Sequence, residues 1–268
     1  MKNMTLGAYL PYDSTMHRMD PRVKILSLLI ILISIFFDAG FLGYLLIAIF
    51  TYIALKLARL KMNYILKSVK PMMFMMVFLG VLNLFMIRTG EILITIGDFP
   101  IYTQAITQTI YIIIRLILIV ALTTIVTATT KPLDLTLGIE HLLTPVKKVG
   151  FPAHEVAMMI SIALRFIPTL LEETQRTMKS QASRGVDFNE GNMMEKISAI
   201  ISLIVPLFIS AFSRAEELAN AMEARCYNPE AKRTRYKQMH CKANDTILLS
   251  VSITILVGII ILSRIKLW

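Results

Sequence analysis

The chain has 268 residues, of which 56% are hydrophobic and 17% charged, with a mean hydropathy of +0.65; that is too apolar for a soluble fold and typical of a polytopic membrane protein. The net charge of +10 does not indicate nucleic acid, because the excess sits beside apolar segments: Lys56, Arg59, Lys61, Lys67 and Lys70 crowd one stretch without an acid, whereas residues 131–243 hold fifteen basic and twelve acidic side chains. Such placement suits an anionic lipid surface.

Residues 1–20 are polar and lack the apolar run of a cleavable signal peptide. A bilayer core of about 30 Å needs around 20 apolar residues. The first hydrophobic segment, Ile25 to Phe37, is short, about 20 Å as a helix. It is expected to span by recruiting its flanks from Arg22 to Phe41, with Arg22 and Lys24 snorkelling outward and Asp38-Ala39-Gly40 turning the chain back. Tyr44 to Leu57, Val69 to Ile87 and Gln104 to Thr127 follow, and Ile247 to Leu262 comes after a long polar block. About five transmembrane helices result. The N-terminal tail (Lys2, Arg18, Arg22, Lys24) and the loop at 56–70 are basic, while the intervening short loops carry only Arg88, so the N-terminus and the polar block are expected in the cytoplasm.

Within that block, Pro132 suits the first position of a helix that stops before Pro145. Gly150-Phe151-Pro152 opens a second helix running to Gly185, where a glycine can adopt the left-handed conformation. A turn at Asn189 to Asn192 leads to a third helix from about Met193 to Tyr227, halted before Pro229. The last two, about 45 Å each, form a hairpin. Ser161, Arg165, Thr169, Glu172, Arg176, Lys179 and Ser183 recur at helical spacing on one side of the second helix, opposite Met159, Ile162, Phe166 and Leu170. Each helix is apolar in its N-terminal half and charged in its C-terminal half, with Pro168 and Pro206 near the change. The arms are therefore expected to meet membrane or an apolar partner at one end and a cytosolic partner at the other. Ile197 to Phe212 bears no charge; a hydropathy window flags it as a span, but its sixteen residues and central proline favour an interfacial or protein-covered helix.

Cys226 and Cys241 form no CxxC pair and the four histidines are scattered, so no metal site is expected. The sequence contains no GxxxxGK[ST], HExxH or GxSxG motif, and no cofactor of its own is expected. Arg115 lies inside an apolar segment, where a charge is a functional candidate, and a self-sufficient permease with a substrate site near it is the alternative reading. The cluster Met72, Met73, Met75 and Met76 reads equally as an adaptable contact surface or as packing.

His17-Arg18-Met19-Asp20-Pro21-Arg22, the run Ser161-Ile162-Ala163-Leu164-Arg165-Phe166-Ile167-Pro168, and the endings Ser183-Arg184-Gly185 and Ala224-Arg225-Cys226 resemble the transmembrane T component of energy-coupling factor (ECF) transporters. The family's endings are Ala-Arg-Gly-like; Ser183 and Cys226 depart from that pattern. The resemblance implies an all-α scaffold that joins two cytosolic ABC-type ATPases, which bind the ATP, to a substrate-binding membrane S component, for uptake of vitamins or related micronutrients. Residues 1–130 and 244–268 would then be membrane helices and 131–243 a cytoplasmic coupling domain. Ser183, Arg184, Gly185, Ala224, Arg225 and Cys226 would dock the ATPases, and Phe166, Pro168, Leu203, Pro206 and Leu207 would form an apolar platform for the S component. The residues themselves support the arginines: at a helix C-terminus the macrodipole favours a cation, and the guanidinium offers a planar five-donor fork to an acidic or carbonyl-lined groove.

Overall fold

The structure, a computed structural model, describes residues 9–37, 39–96, 99–143, 153–188, 192–228 and 241–265. Asp38, Pro145, Gly150 to Pro152, residues 189–191 of the expected turn and Pro229 lie outside these residues. The chain divides into two compact units, residues 1–142 with 239–268, and residues 143–238.

The first unit is a helical bundle. Its first helix, α1 (Pro21–Ile35), starts because Asp20 caps it, accepting the Arg22 N–H at 2.9 Å, and Pro21 brings a preset φ to the first turn. The helices α2 (Gly40–Ala58), α3 (Met62–Val69), α4 (Met73–Met86), α5 (Thr103–Thr129), α6 (Pro132–Leu143) and α9 (Ala243–Ile265) complete it. A 3-10 turn at Lys70–Met72 joins α3 to α4, placed where Pro71 cannot supply an N–H to the ladder. The core is built along α1, α2, α5 and α9: Ile31, Ile35, Ile47, Leu118, Leu122 and Ile259 form one buried cluster. Helix α4 instead turns Phe74, Val77 and Phe85 outward, as a lipid-facing helix does. It packs closely on α5 at Gly80, where a Cβ would lie 3.2 Å from Thr109. Helix α6 clusters with this unit, Gly138 leaving room for Ile25 and Pro21 of α1.

Among the described residues the architecture is all-α apart from an antiparallel hairpin, β1 (Ile92–Ile96) with β2 (Phe99–Tyr102), in a stretch that the charge pattern marks only as a short loop. Among the described residues, five helical stretches are long and apolar enough to cross a bilayer: Gly40–Leu57, Met62–Met86, Thr103–Thr129, Met193–Ala224 and Ala243–Ile265. The number matches expectation, but the members differ. With 15 residues, α1 covers about 22 Å and is not among them, while Ile197 to Phe212 merges into one helix of 32 residues.

A second difference concerns Lys24. Rather than snorkelling outward it is only 2% exposed, and its Nζ donates to the Thr129 carbonyl at 3.1 Å and the Thr130 hydroxyl at 3.2 Å. The last carbonyls of α5 lack intrahelical donors and carry the negative end of its dipole, so a cation placed there is held inward. Lys24→Met is expected to lower stability by about 1–3 kcal/mol, since it strands buried acceptors; a thermal melt of the purified protein in detergent measures it, and an unchanged melt would show that solvent already reaches those carbonyls.

The segment His17 to Arg22 also receives a structural account. The His17 Nε2–H donates to the Leu10 carbonyl at 2.9 Å, so its Nδ1 accepts from Ser14 Oγ at 2.7 Å. Arg18 is paired with Asp13, whose carboxyl it holds below the usual carboxylate range. The Leu10 N–H reaches Ala128 at the end of α5, and the Asp20 N–H reaches the buried Asp245 carboxylate of α9. The motif fastens the N-terminal segment to the ends of two helices.

Within the second unit the described residues form α7 (Ala153–Ser183) and α8 (Met193–Ala224). Asn192 opens α8, its N–H bonded to Glu195 Oε2 at 2.9 Å. The helices run antiparallel: Met158, near the start of α7, accepts a hydrogen bond from Tyr227, just beyond the end of α8, and Glu173 lies against Ser210 and Arg214.

Candidate functional site

Both long helices end in the same backbone motif. At the end of α7 the Gly185 N–H donates to Ala182 and the Val186 N–H to Gln181; at the end of α8 the Cys226 N–H donates to Glu223 and the Tyr227 N–H to Met222. Each pattern is a Schellman cap, which closes the helix around a residue in the left-handed conformation. That residue is Gly185 (φ 87°) in one case and Cys226 (φ 54°) in the other. Arg184 and Arg225 therefore occupy equivalent positions, the last residue before the reversal. Both are exposed, and among the described residues neither guanidinium has a hydrogen-bond or ion-pair partner. Ser183, its hydroxyl turned back onto the Lys179 carbonyl at 3.0 Å, and Ala224 are the exposed small neighbours that leave each arginine uncovered.

Cys226 occupies a backbone conformation that costs an L-residue about 1–2 kcal/mol and glycine almost nothing. Cys226→Gly should raise the stability of the α8 terminus by about 0.5–1 kcal/mol, offset in part by the greater freedom of glycine in the unfolded chain. Slower amide exchange at Cys226 and Tyr227 would reveal it; faster exchange there would mean that the cysteine side chain compensates for its φ.

Antiparallel packing alters the expected division of labour between the ends. The charged half of α7 lies beside the apolar half of α8, and the reverse holds at the other end. The hairpin thus carries one arginine terminus at each end, not a greasy end and a charged end. Between them Arg214 Nη2 donates to Glu173 Oε2 at 2.9 Å, the Ser210 hydroxyl donates to Glu173 Oε1, and the guanidinium lies 5.9 Å from the Phe166 ring. Phe166, Pro206, Ile209, Ser210, Arg214 and Leu218 contribute to a groove of about 840 Å³ beside this contact.

Of the expected platform residues, Phe166, Leu203, Pro206 and Leu207 are half-buried and Pro168 is exposed. The face of α8 turned fully outward is a different one: Ile197, Ile201, Ile204, Val205, Phe208 and Phe212. Glu173, Ser210 and Arg214, which meet across the hairpin, are not among the residues that the sequence singles out.

Arg115 is engaged within its own unit. Its Nε and Nη2 donate to the Tyr44 hydroxyl at 3.1 and 2.8 Å, its guanidinium lies 5.7 Å from the Phe36 ring, and Tyr44 stacks on Tyr111 with centroids 5.5 Å apart. That network gives the arginine a packing role between α2 and α5. Among the described residues no cluster of three or more His, Cys, Asp or Glu side chains could hold a metal.

Several apolar helices of spanning length define a multi-pass integral membrane protein. The CbiQ family, described as cobalt transport protein, matches residues 13–236. The energy-coupling factor transporter transmembrane protein EcfT of Clostridium kluyveri is 43% identical over 266 residues, covering 99% of this chain and 98% of its own. That of Ruminiclostridium cellulolyticum is 42% identical over 262 residues, 98% of each chain. That of Bacillus subtilis is 40% identical over 264 residues, 98% of this chain and 99% of its own. The chain belongs to this family of ECF transporter transmembrane proteins, and so is a transport subunit rather than an enzyme.

Proposed function

We propose that the chain is the energy-coupling scaffold of an ECF-type importer, linking two cytosolic ABC-type ATPases to a substrate-binding S component for uptake of a vitamin or related micronutrient. The observation that carries the reading is the pair of equivalent arginine-bearing caps at opposite ends of one antiparallel hairpin. Two like ends suit two like partners, so each ATPase would receive one arginine in an acceptor-lined groove, Ser183, Gly185, Ala224 and Cys226 letting the groove walls approach. Residues 131–243 form the cytoplasmic coupling region, the N-terminus shares that side, and residues 1–130 and 244–268 supply the membrane helices, with Lys56, Arg59 and Lys61 facing anionic lipid. ATP is bound by the partners and the chain itself needs no cofactor. The Glu173–Arg214 ion pair and the charged second half of α8 favour an interfacial or protein-covered α8 over a bilayer-spanning one.

Purification of the tagged chain from its own host in mild detergent tests the reading. Two ATPase chains and one small membrane protein should accompany it, and the assembly reconstituted in vesicles should hydrolyse ATP and accumulate the S component's substrate. A chain that purifies alone and binds a small solute unaided would instead mark a self-sufficient permease.

A further inference from the structure

Glu173 lies eleven residues before Arg184, and Arg214 lies eleven residues before Arg225. At 1.5 Å per residue each arm is about 16 Å long. Because the helices are antiparallel and Glu173 contacts Arg214 directly, the ion pair falls at the midpoint between the two docking ends. It is built as a junction: the Glu173 carboxylate takes one hydrogen bond from Arg214 and one from Ser210, and Phe166 covers the guanidinium from α7. Both side chains are partly buried, 33% and 25% exposed, so water screens their attraction less than at an open surface.

We propose that Glu173 and Arg214 are positioning residues that form the pivot of a two-armed lever, making a displacement at one arginine cap obligatory at the other. The proposal rests on the coupling role given above. Helices without a fixed crossing point could slide or splay when one end is pushed. A directional ion pair with a hydroxyl on its second oxygen resists both sliding and splaying, so the hairpin turns as one body, and such a turn about the midpoint moves both ends by equal amounts in opposite directions while their separation stays fixed. Docking itself needs only the caps, so the pivot separates assembly from coupling.

The test uses the intact complex in lipid nanodiscs, with spin labels attached to p-acetylphenylalanine introduced at positions 179 and 223, exposed sites near the two caps, so that Cys226 and Cys241 stay in place. The distance between labels is measured without nucleotide and with ATP plus vanadate, alongside uptake in vesicles. With the pivot unaltered the distance should be the same in both states, because the two caps move as one body. Glu173→Gln and Arg214→Gln should each keep the ATPases within about twofold, make the distance shift or broaden between the two states and reduce uptake by about fivefold to tenfold, a loss within the span that uncoupling one directly contacting pair produces. The exchange Glu173→Arg with Arg214→Glu should restore both readouts. A nucleotide-dependent distance with the natural pivot, an unchanged distance and full uptake in the Gln variants, loss of the ATPases from them, or failure of the exchange to rescue would each overturn the pivot. A complex that carries no ATPase even with the natural pivot would sink the coupling role instead, so the two failures are distinguishable.

Discussion

Alanine at both Arg184 and Arg225 is expected to release the ATPase subunits altogether. Truncating one partner of a desolvated charged contact typically costs about 2–5 kcal/mol, because acceptors on the other side are left unpaired. At 1.4 kcal/mol per tenfold, a single substitution should weaken its contact by roughly 30-fold to several thousand-fold. Neither residue holds the unit together: both guanidinium groups are exposed, and the Schellman bonds use backbone atoms only, so insertion and folding should survive. Lysine should rescue poorly, lacking the planar fork. Arg176, exposed on α7, is the matched control and should tolerate alanine; Arg214 cannot serve because it bridges the helices. Co-purification of ATPase subunits with the tagged variants is the measurement. Full retention in the double variant would reduce both arginines to ordinary helix-end charges.

The second large effect is expected on the outward apolar face of α8. Phe208 is 64% exposed and Ile204 54%, and an unsupported carboxylate at either would meet whatever covers that face. An Asp near the centre of a lipid-embedded helix costs about 2.5–3.5 kcal/mol on insertion scales, and an unpaired charge in a protein contact costs at least as much. Ile204→Asp and Phe208→Asp should therefore abolish uptake while the ATPases stay bound. Leu203→Asp should behave differently, because Leu203 is half-buried and its replacement loosens the hairpin and both caps with it. Undiminished uptake in Ile204→Asp and Phe208→Asp would mean that this face touches only water.

The features legible in the sequence were those that depend on one helix at a time. Pro132 opening α6 and Gly185 ending α7 in a left-handed residue follow from backbone rules that hold whatever surrounds them. The features missed depend on two elements meeting. Lys24 looks like a snorkelling cation until the bare carbonyls ending α5 are brought beside it. The outward face of α8 could not be chosen from an almost uniformly apolar run, since hydropathy marks a segment and only packing against α7 distinguishes Leu203 from Ile204. The Glu173–Arg214 pair was hidden for the same reason: periodicity placed Glu172 on the polar stripe and passed over its neighbour, whose meaning lies across the hairpin. Ile92 to Tyr102 was passed over because charge counting treats a short connection as empty.

Eleven residues make just over three turns of α-helix, about 3.06 at 3.6 per turn, so Arg184 emerges from nearly the same azimuth as Glu173, and Arg225 from that of Arg214. The arms are consequently locked in phase as well as in length. One residue inserted between Arg214 and Arg225 would swing the terminal guanidinium through about 100° while advancing it by only about 1.5 Å, turning it away from its groove. Substitutions along the shafts are far gentler changes than a single insertion or deletion, so these segments can drift widely in composition while their length stays fixed.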